Sequence, residues 1–158
     1  MKLQGKVLDG PQERVVVFPR QNGDKLVFKF KAVLNSDEFD KICPVPEPPE
    51  MILPGGGKKL ALDDKTYLKK LEEWSQNKTH YMFLESISAT DDLEWETVDL
   101  GNPETWKNYQ KELEDAGFTE SERLVMLRAY SEVQGLDQSK IDEATRSFLA
   151  DLQEAIDE

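Results

Sequence analysis

The chain holds one cysteine, Cys43, and one histidine, His80, among 158 residues. These two counts bound the chemistry before any fold is considered. One cysteine forms no internal disulfide. One Cys and one His supply too few soft ligands for a zinc site, which takes about four. A Ser-His-Asp or Cys-His constellation would have to be built on His80 alone. Carboxylates are abundant, 32 Asp and Glu in all, so no single pair singles itself out for glycosidase-type work.

Other chemical patterns fail on spacing. Gly55-Gly56-Gly57 precedes Lys58-Lys59, but no Ser or Thr follows the lysines as a phosphate loop requires. The acidic stretch Asp91, Asp92, Glu94, Glu96 and Asp99 lacks the mid-loop Gly and the closing Glu of a calcium loop, and reads as a solvated loop. Asn77-Lys78-Thr79 matches a glycosylation sequon but falls inside a helical pattern. Cys43 precedes Pro44 and reads as a small buried hydrophobe. His80 reads as structural. The expectation is a protein that is not an enzyme and that uses no cofactor or metal. A carboxylate-dependent hydrolase is the enzymatic rival.

The elements follow from periodicity. Leu3, Gly5 and Val7 alternate with polar residues, Glu13 to Pro19 is a β-branched run, and Leu26, Phe28, Phe30 and Ala32 alternate with Val27, Lys29 and Lys31. The last pattern is a half-buried antiparallel strand. Asn22-Gly23 is a type I′ hairpin signal. A three-stranded meander is expected, covered by a short helix that Asn35 and Glu38 cap and that turns Phe39 and Ile42 inward. Residues 44–57 carry five prolines and end in three glycines, which reads as a connector. Met51-Ile52-Leu53 is its odd part, three apolar residues that either dock on the body or wait for a partner.

From Asp63 the period is helical. Tyr67, Leu71, Trp74, Lys78 and Tyr81 share a stripe that Leu84, Ile87 and Ser88 continue. Asn102-Pro103 starts a helix with Trp106, Tyr109 and Leu113 that ends at Gly117. Thr119 and Glu122 form a capping box before Leu124, Leu127 and Tyr130 or Ser131, and Gly135 closes that helix. A last helix from Asp137 spaces Ile141, Ala144, Phe148, Leu152 and Ala155/Ile156 evenly. The fold class expected is α+β: a small antiparallel β-meander head at 1–43, a connector at 44–59, and an acidic bundle of about four helices at 60–158.

Charge divides at the same place. Residues 1–59 hold 10 Lys/Arg and 8 Asp/Glu, a net +2, and residues 60–158 hold 10 and 24, a net −14. An acidic body repels phosphate backbones, so no nucleic-acid partner is expected. No run approaches the roughly 18 apolar residues of a membrane helix, so no membrane partner is expected either. The N-terminus lacks a signal-peptide apolar stretch, which points to the cytoplasm.

The layout resembles the tail assembly chaperones of long-tailed bacteriophages. The resemblance rests on Leu26-Val27-Phe28-Lys29-Phe30-Lys31-Ala32-Val33, on Ser36-Asp37-Glu38-Phe39 before a proline cluster, and on Trp95, Val98-Asp99-Leu100, Pro103-Glu104-Thr105-Trp106, Ala116-Gly117-Phe118 and Arg146-Ser147-Phe148-Leu149. It implies a protein of the host cytoplasm. Its partners would be the aggregation-prone tape-measure protein, kept soluble while tail-tube subunits assemble around it, and the tail-tube proteins. A homo-oligomer is compatible with it. The alternative is a structural virion protein, a capsid-decoration or tail-connecting component whose Pro/Gly arm clasps neighbouring subunits. The contact residues expected from the sequence are Met51, Ile52, Leu53 and Trp95, with Phe28 and Phe30, for which core burial is the rival reading.

Overall fold

The structure, a computed structural model, describes residues 1–157. The fold is α+β. Its strands do not form a three-stranded meander. They form three separate antiparallel pairs, β1 (Lys2–Leu3) with β2 (Lys6–Val7), β3 (Glu13–Pro19) with β4 (Lys25–Lys31), and β5 (Glu50–Ile52) with β6 (Lys58–Leu60). The first alternating run bends back on itself because Gln4 and Gly5 both take positive φ (52° and 75°), as a type I′ turn requires. The Asn22-Gly23 turn differs too. Only Gly23 is left-handed (φ 87°), and its N–H donates to the Arg20 carbonyl. This is a type I turn closed by a left-handed glycine, the longer hairpin loop.

The β3–β4 hairpin is the sheet that matters for the core. Its register sets Val16 opposite Phe28 and Phe18 opposite Leu26. Phe18, Phe28 and Phe30 turn inward and are buried, while Val15, Val17 and Val27 face out. Helix α1 (Asp37–Ile42) buries Phe39 and stops at Cys43 before Pro44. Its N-cap is Ser36, whose side chain makes no capping bond, while Asn35 accepts from the Asp37 N–H instead.

Helix α2 (Lys65–Ile87) is capped by the Asp64 side chain, which accepts from the Tyr67 N–H. Only its second half is embedded, through Tyr81, Phe83, Leu84, Ser86 and Ile87. The helix expected from Pro103 to Gly117 is divided. A 3-10 turn over Pro103–Thr105, capped by Asn102, leads into α3 (Asn108–Asp115). The divide lets Trp106 bury completely and donate its indole N–H to the carbonyls of Asp99 and Leu100 at 3.1 and 3.2 Å. Helix α4 (Glu120–Val133) opens on the expected Thr119/Glu122 capping box. Helix α5 (Gln138–Asp157) closes the described chain.

One core joins head and body. Phe18, Phe28, Phe30 and Phe39 belong to the same buried cluster as Tyr81, Phe83, Trp106, Tyr109, Met126 and Val133, so the boundary at residue 43 does not separate two cores. Aromatic rings dominate it. Phe83 stacks on Tyr109 at 4.7 Å, Tyr81 meets Trp106 at 5.0 Å, and Phe28 meets Phe118 edge-on at 5.3 Å. Such pairs add about 0.5–1.5 kcal/mol each beyond the area they bury.

The outer edge of β4 is closed by side chains. The Thr90 hydroxyl accepts from the Lys29 N–H (2.9 Å) and donates to the Lys29 carbonyl (3.1 Å). Ser86 Oγ and Gln134 Nε2 both donate to the Lys31 carbonyl, at 2.7 and 3.0 Å, and Gln134 Oε1 accepts from the Val33 N–H. An edge whose backbone groups are satisfied in this way no longer templates another strand. The far end of the hairpin is tied to α4 by Arg20, which forks onto Glu122 at 2.8 and 3.2 Å and lies 5.0 Å over the Phe118 ring.

Candidate functional site

Three regions stand outside the core, the β1–β2 hairpin, an arm at residues 49–60 and helix α5, and a cleft opens between α3 and α4. The arm is the expected connector, but it is ordered as a hairpin. Gly55 and Gly56 both take positive φ (100° and 92°) at its tip, where the Leu53 N–H donates to the Gly57 carbonyl and the Gly56 N–H to Leu53. The register pairs Glu50 with Leu60, Met51 with Lys59 and Ile52 with Lys58. Strand alternation then splits the apolar triplet. Ile52 shares a face with Leu60, Glu50 and Lys58, while Met51 shares the opposite face with Lys59. Every residue from 49 to 60 is exposed, and Ile52 most of all at 77%. Met51, Ile52 and Leu53 therefore do not dock on the body.

The other expected contact residues lie elsewhere. Phe28 and Phe30 are core, 7% and 0% exposed, and burial removes them from any surface. Trp95 is half-buried and packs against the core cluster. Its loop is held from below by Glu112, whose carboxylate accepts from the N–H groups of Glu96 (3.0 Å) and Thr97 (2.6 Å) and from the Thr97 hydroxyl. Burial pushes the Glu112 carboxyl up, and these hydrogen bonds more than reverse it, so the group sits below its ordinary value.

The titratable singletons show no activation. Burial pushes the Cys43 thiol up, away from the thiolate a nucleophile needs. Burial lowers the His80 imidazole. His80 meets Tyr109 edge-on at 5.7 Å, and its buried Nδ1 has no hydrogen-bond partner among the described residues. Among the described residues no group of three or more His, Cys, Asp or Glu side chains is arranged to hold a metal, and no helix is long and apolar enough to cross a membrane.

The cleft of about 480 Å³ is floored by Phe83, Tyr109 and Leu113 and walled by Leu124 and Leu127. Helix α4 buries Met126, Ala129 and Val133 and leaves both wall leucines in the open. Lys107, Lys111 and Arg123 line its sides along with Glu114 and Glu120. No protein-family model matches this chain, and neither does any curated protein or solved structure.

Proposed function

We propose that this protein is a tail assembly chaperone of a long-tailed phage, a binding protein that keeps the tape-measure protein soluble while tail-tube subunits gather around it. The observation that carries the reading is the arm. A two-stranded hairpin standing alone in water is only marginally stable, yet this one bears Ile52 and Leu60 on one exposed face and Met51 on the other. A segment of that kind gains most when a client covers it. The acidic body, −14 over residues 60–158, suits the task, because a strongly charged carrier keeps an aggregation-prone client dispersed.

The same arm supports a second reading, in which it clasps a neighbouring subunit of the virion as a decoration or tail-connecting component. Two experiments separate them. Co-expression with the tape-measure protein of the same genome is expected to move that protein from the pellet to the supernatant. Unchanged solubility removes the chaperone reading. Mass spectrometry of purified virions is expected to find no stoichiometric copy of this chain. Finding one would establish the structural reading instead.

A further inference from the structure

The two edges of the β3–β4 hairpin differ. In an antiparallel pair, residues set opposite each other turn their main-chain groups either towards one another or both away. Lys29 and Lys31 turn theirs out to Thr90, Ser86 and Gln134. Their partners Val15 and Glu13 therefore turn theirs out on the other side, and Val17, opposite Val27, has the same parity. The even positions carry the ladder, as at its ends, where the Ala32 N–H donates to the Gln12 carbonyl and the Arg20 N–H to the Asp24 carbonyl. Among the described residues no group bonds the outward N–H and C=O of Glu13, Val15 or Val17. Side chains leave this edge unguarded as well. Open edges are blunted by charge, proline or a bulge. Here Glu13 and Pro19 stand at the ends and the middle is Val15-Val16-Val17, with Val15 52% and Val17 45% exposed.

We infer that the open edge of β3 is a docking site for an extended segment of another protein, which joins the sheet as a third strand antiparallel to β3. The inference stands apart from the chaperone reading, which rests on the arm. A groove is already built beside the edge. Helix α4 runs antiparallel to β3, since Glu122 meets Arg20 at 2.8 Å and Glu132 meets Arg14 at 3.1 Å. Val125, Arg128 and Glu132 share one flank of that helix. With Arg14, Val15 and Val17 they line a groove of about 400 Å³, strand edge on one side and helix flank on the other.

The groove fixes the chemistry of the guest. Val15 and Val17 each offer one N–H and one C=O, which only an extended backbone meets at both positions. Side chains of the added strand alternate. Those level with Val15 and Val17 stand in solvent beside Val27. Those level with Phe18 and Val16 point down to Val125 and Arg128, so the first is apolar and the second acidic, two residues apart. Arg128 has no carboxylate partner among the described residues, while Arg14 and Lys140 share Glu132 at 3.1 and 2.7 Å. A guest carboxylate therefore enters a surplus of positive charge. A second copy does not fit through its own β3. Two-fold pairing of the edges would set two α4 helices beside strands about 4.8 Å apart, whereas packed helices keep about 8–10 Å between axes.

The test uses the full chain and a probe peptide, Thr-Val-Thr-Glu-Thr-Val-Thr, labelled with fluorescein at its N-terminus and amidated at its C-terminus. Fluorescence anisotropy is expected to show saturable binding. N-methylation of the two threonines beside the glutamate removes the ladder donors and keeps every side chain, and should weaken binding by about tenfold or more. Arg128→Glu should weaken the glutamate peptide by about tenfold and tighten a peptide with lysine in that place by a similar factor. The urea midpoint should hold, because Arg128 is exposed. Val15→Pro deletes an N–H that the hairpin ladder does not use and should abolish binding. If that variant proves less stable, the methylated peptide and the Arg128 charge exchange still decide. Absence of binding at millimolar peptide overturns the inference. So does equal binding of the methylated peptide, or binding that survives Val15→Pro and is lost in Leu127→Asp, which would move the contact to the cleft. A mass above 18.1 kDa that returns to the monomer value in Val15→Pro would give the edge to a second copy and overturn it too.

Discussion

The β3–β4 hairpin, with strands of seven residues, and the β5–β6 hairpin, with strands of three, are both joined by glycine-containing turns, and they meet opposite fates. The first has Phe28 and Phe30 under two helices and its outer edge closed by Thr90, Ser86 and Gln134. The second has Met51 and Ile52 exposed, and none of its residues belongs to the core cluster. What separates them is the reach of the rest of the chain. Phe39, Tyr81 and Trp106 converge on the first hairpin, whereas prolines 44, 46, 48 and 49 carry the second away before it can fold back. A hairpin that is covered becomes scaffold, and one that is held off becomes a surface for something else.

The largest test of this contrast is in the covered region. Trp106→Ala empties a site that is fully buried and touches both Phe39 and Tyr81. A loss of about 3–5 kcal/mol is expected, read as a large drop in the urea midpoint. A loss below about 1 kcal/mol would mean that head and body do not share a core. Next in size is the closed edge. Gln134→Ala leaves the Val33 N–H without its acceptor and the Lys31 carbonyl with Ser86 alone. A loss of about 1–3 kcal/mol is expected. Thr119→Ala removes one half of the capping box on α4 and should cost about 1 kcal/mol.

How much of this was legible in the residues follows the same division. Leu26 to Ala32 declared its buried face by strict alternation, and the Thr119/Glu122 and Asn102-Pro103 starts were readable because caps act within one turn. The β5–β6 hairpin was hidden because its prolines outweigh its turn signal, although Gly55-Gly56 between Met51-Ile52 and Leu60 was the cue. The buried face of α4 was not legible because Leu124/Leu127 and Met126/Ala129/Val133 both repeat at helical spacing. The choice between them depends on where β3 lies, which no local pattern states. The missing meander has a plainer cause. Two positive-φ residues at Gln4-Gly5 reverse the chain after two residues, before a third strand can form.

His80 offers a smaller test by pH. Burial holds its imidazole below the ordinary value of 6.5, so the unfolded chain binds a proton that the folded chain resists. Stability contributed by the neutral ring is present above about 6.5 and falls as pH drops through that value towards the lowered one. The carboxylates held low, Glu112, Glu122, Glu132 and Asp137, titrate below this window and leave it clear. His80→Phe is therefore expected to flatten the slope of unfolding free energy between pH 7.5 and 5.5. An unchanged slope would place the ring in contact with water in the folded protein.

The smallest effect on stability is expected where the largest effect on binding is. Replacing Met51, Ile52 and Leu53 together with Ser alters side chains that touch no core residue, and surface changes of this kind stay within about 0.5 kcal/mol. The glycine turn and the ladder of the arm use backbone groups only and survive the change. Solubilisation of the tape-measure protein on co-expression should nevertheless fall to background. Ile52→Ser alone should retain part of it, because Leu60 stays on the same face, and Met51→Ser alone should report whether the opposite face is used at all. If the triple variant unfolds at a clearly lower urea concentration, the arm does pack on the body in solution, and the contrast between the two hairpins fails. If it is stable and still solubilises the client, the client binds elsewhere and the arm is spacer rather than site.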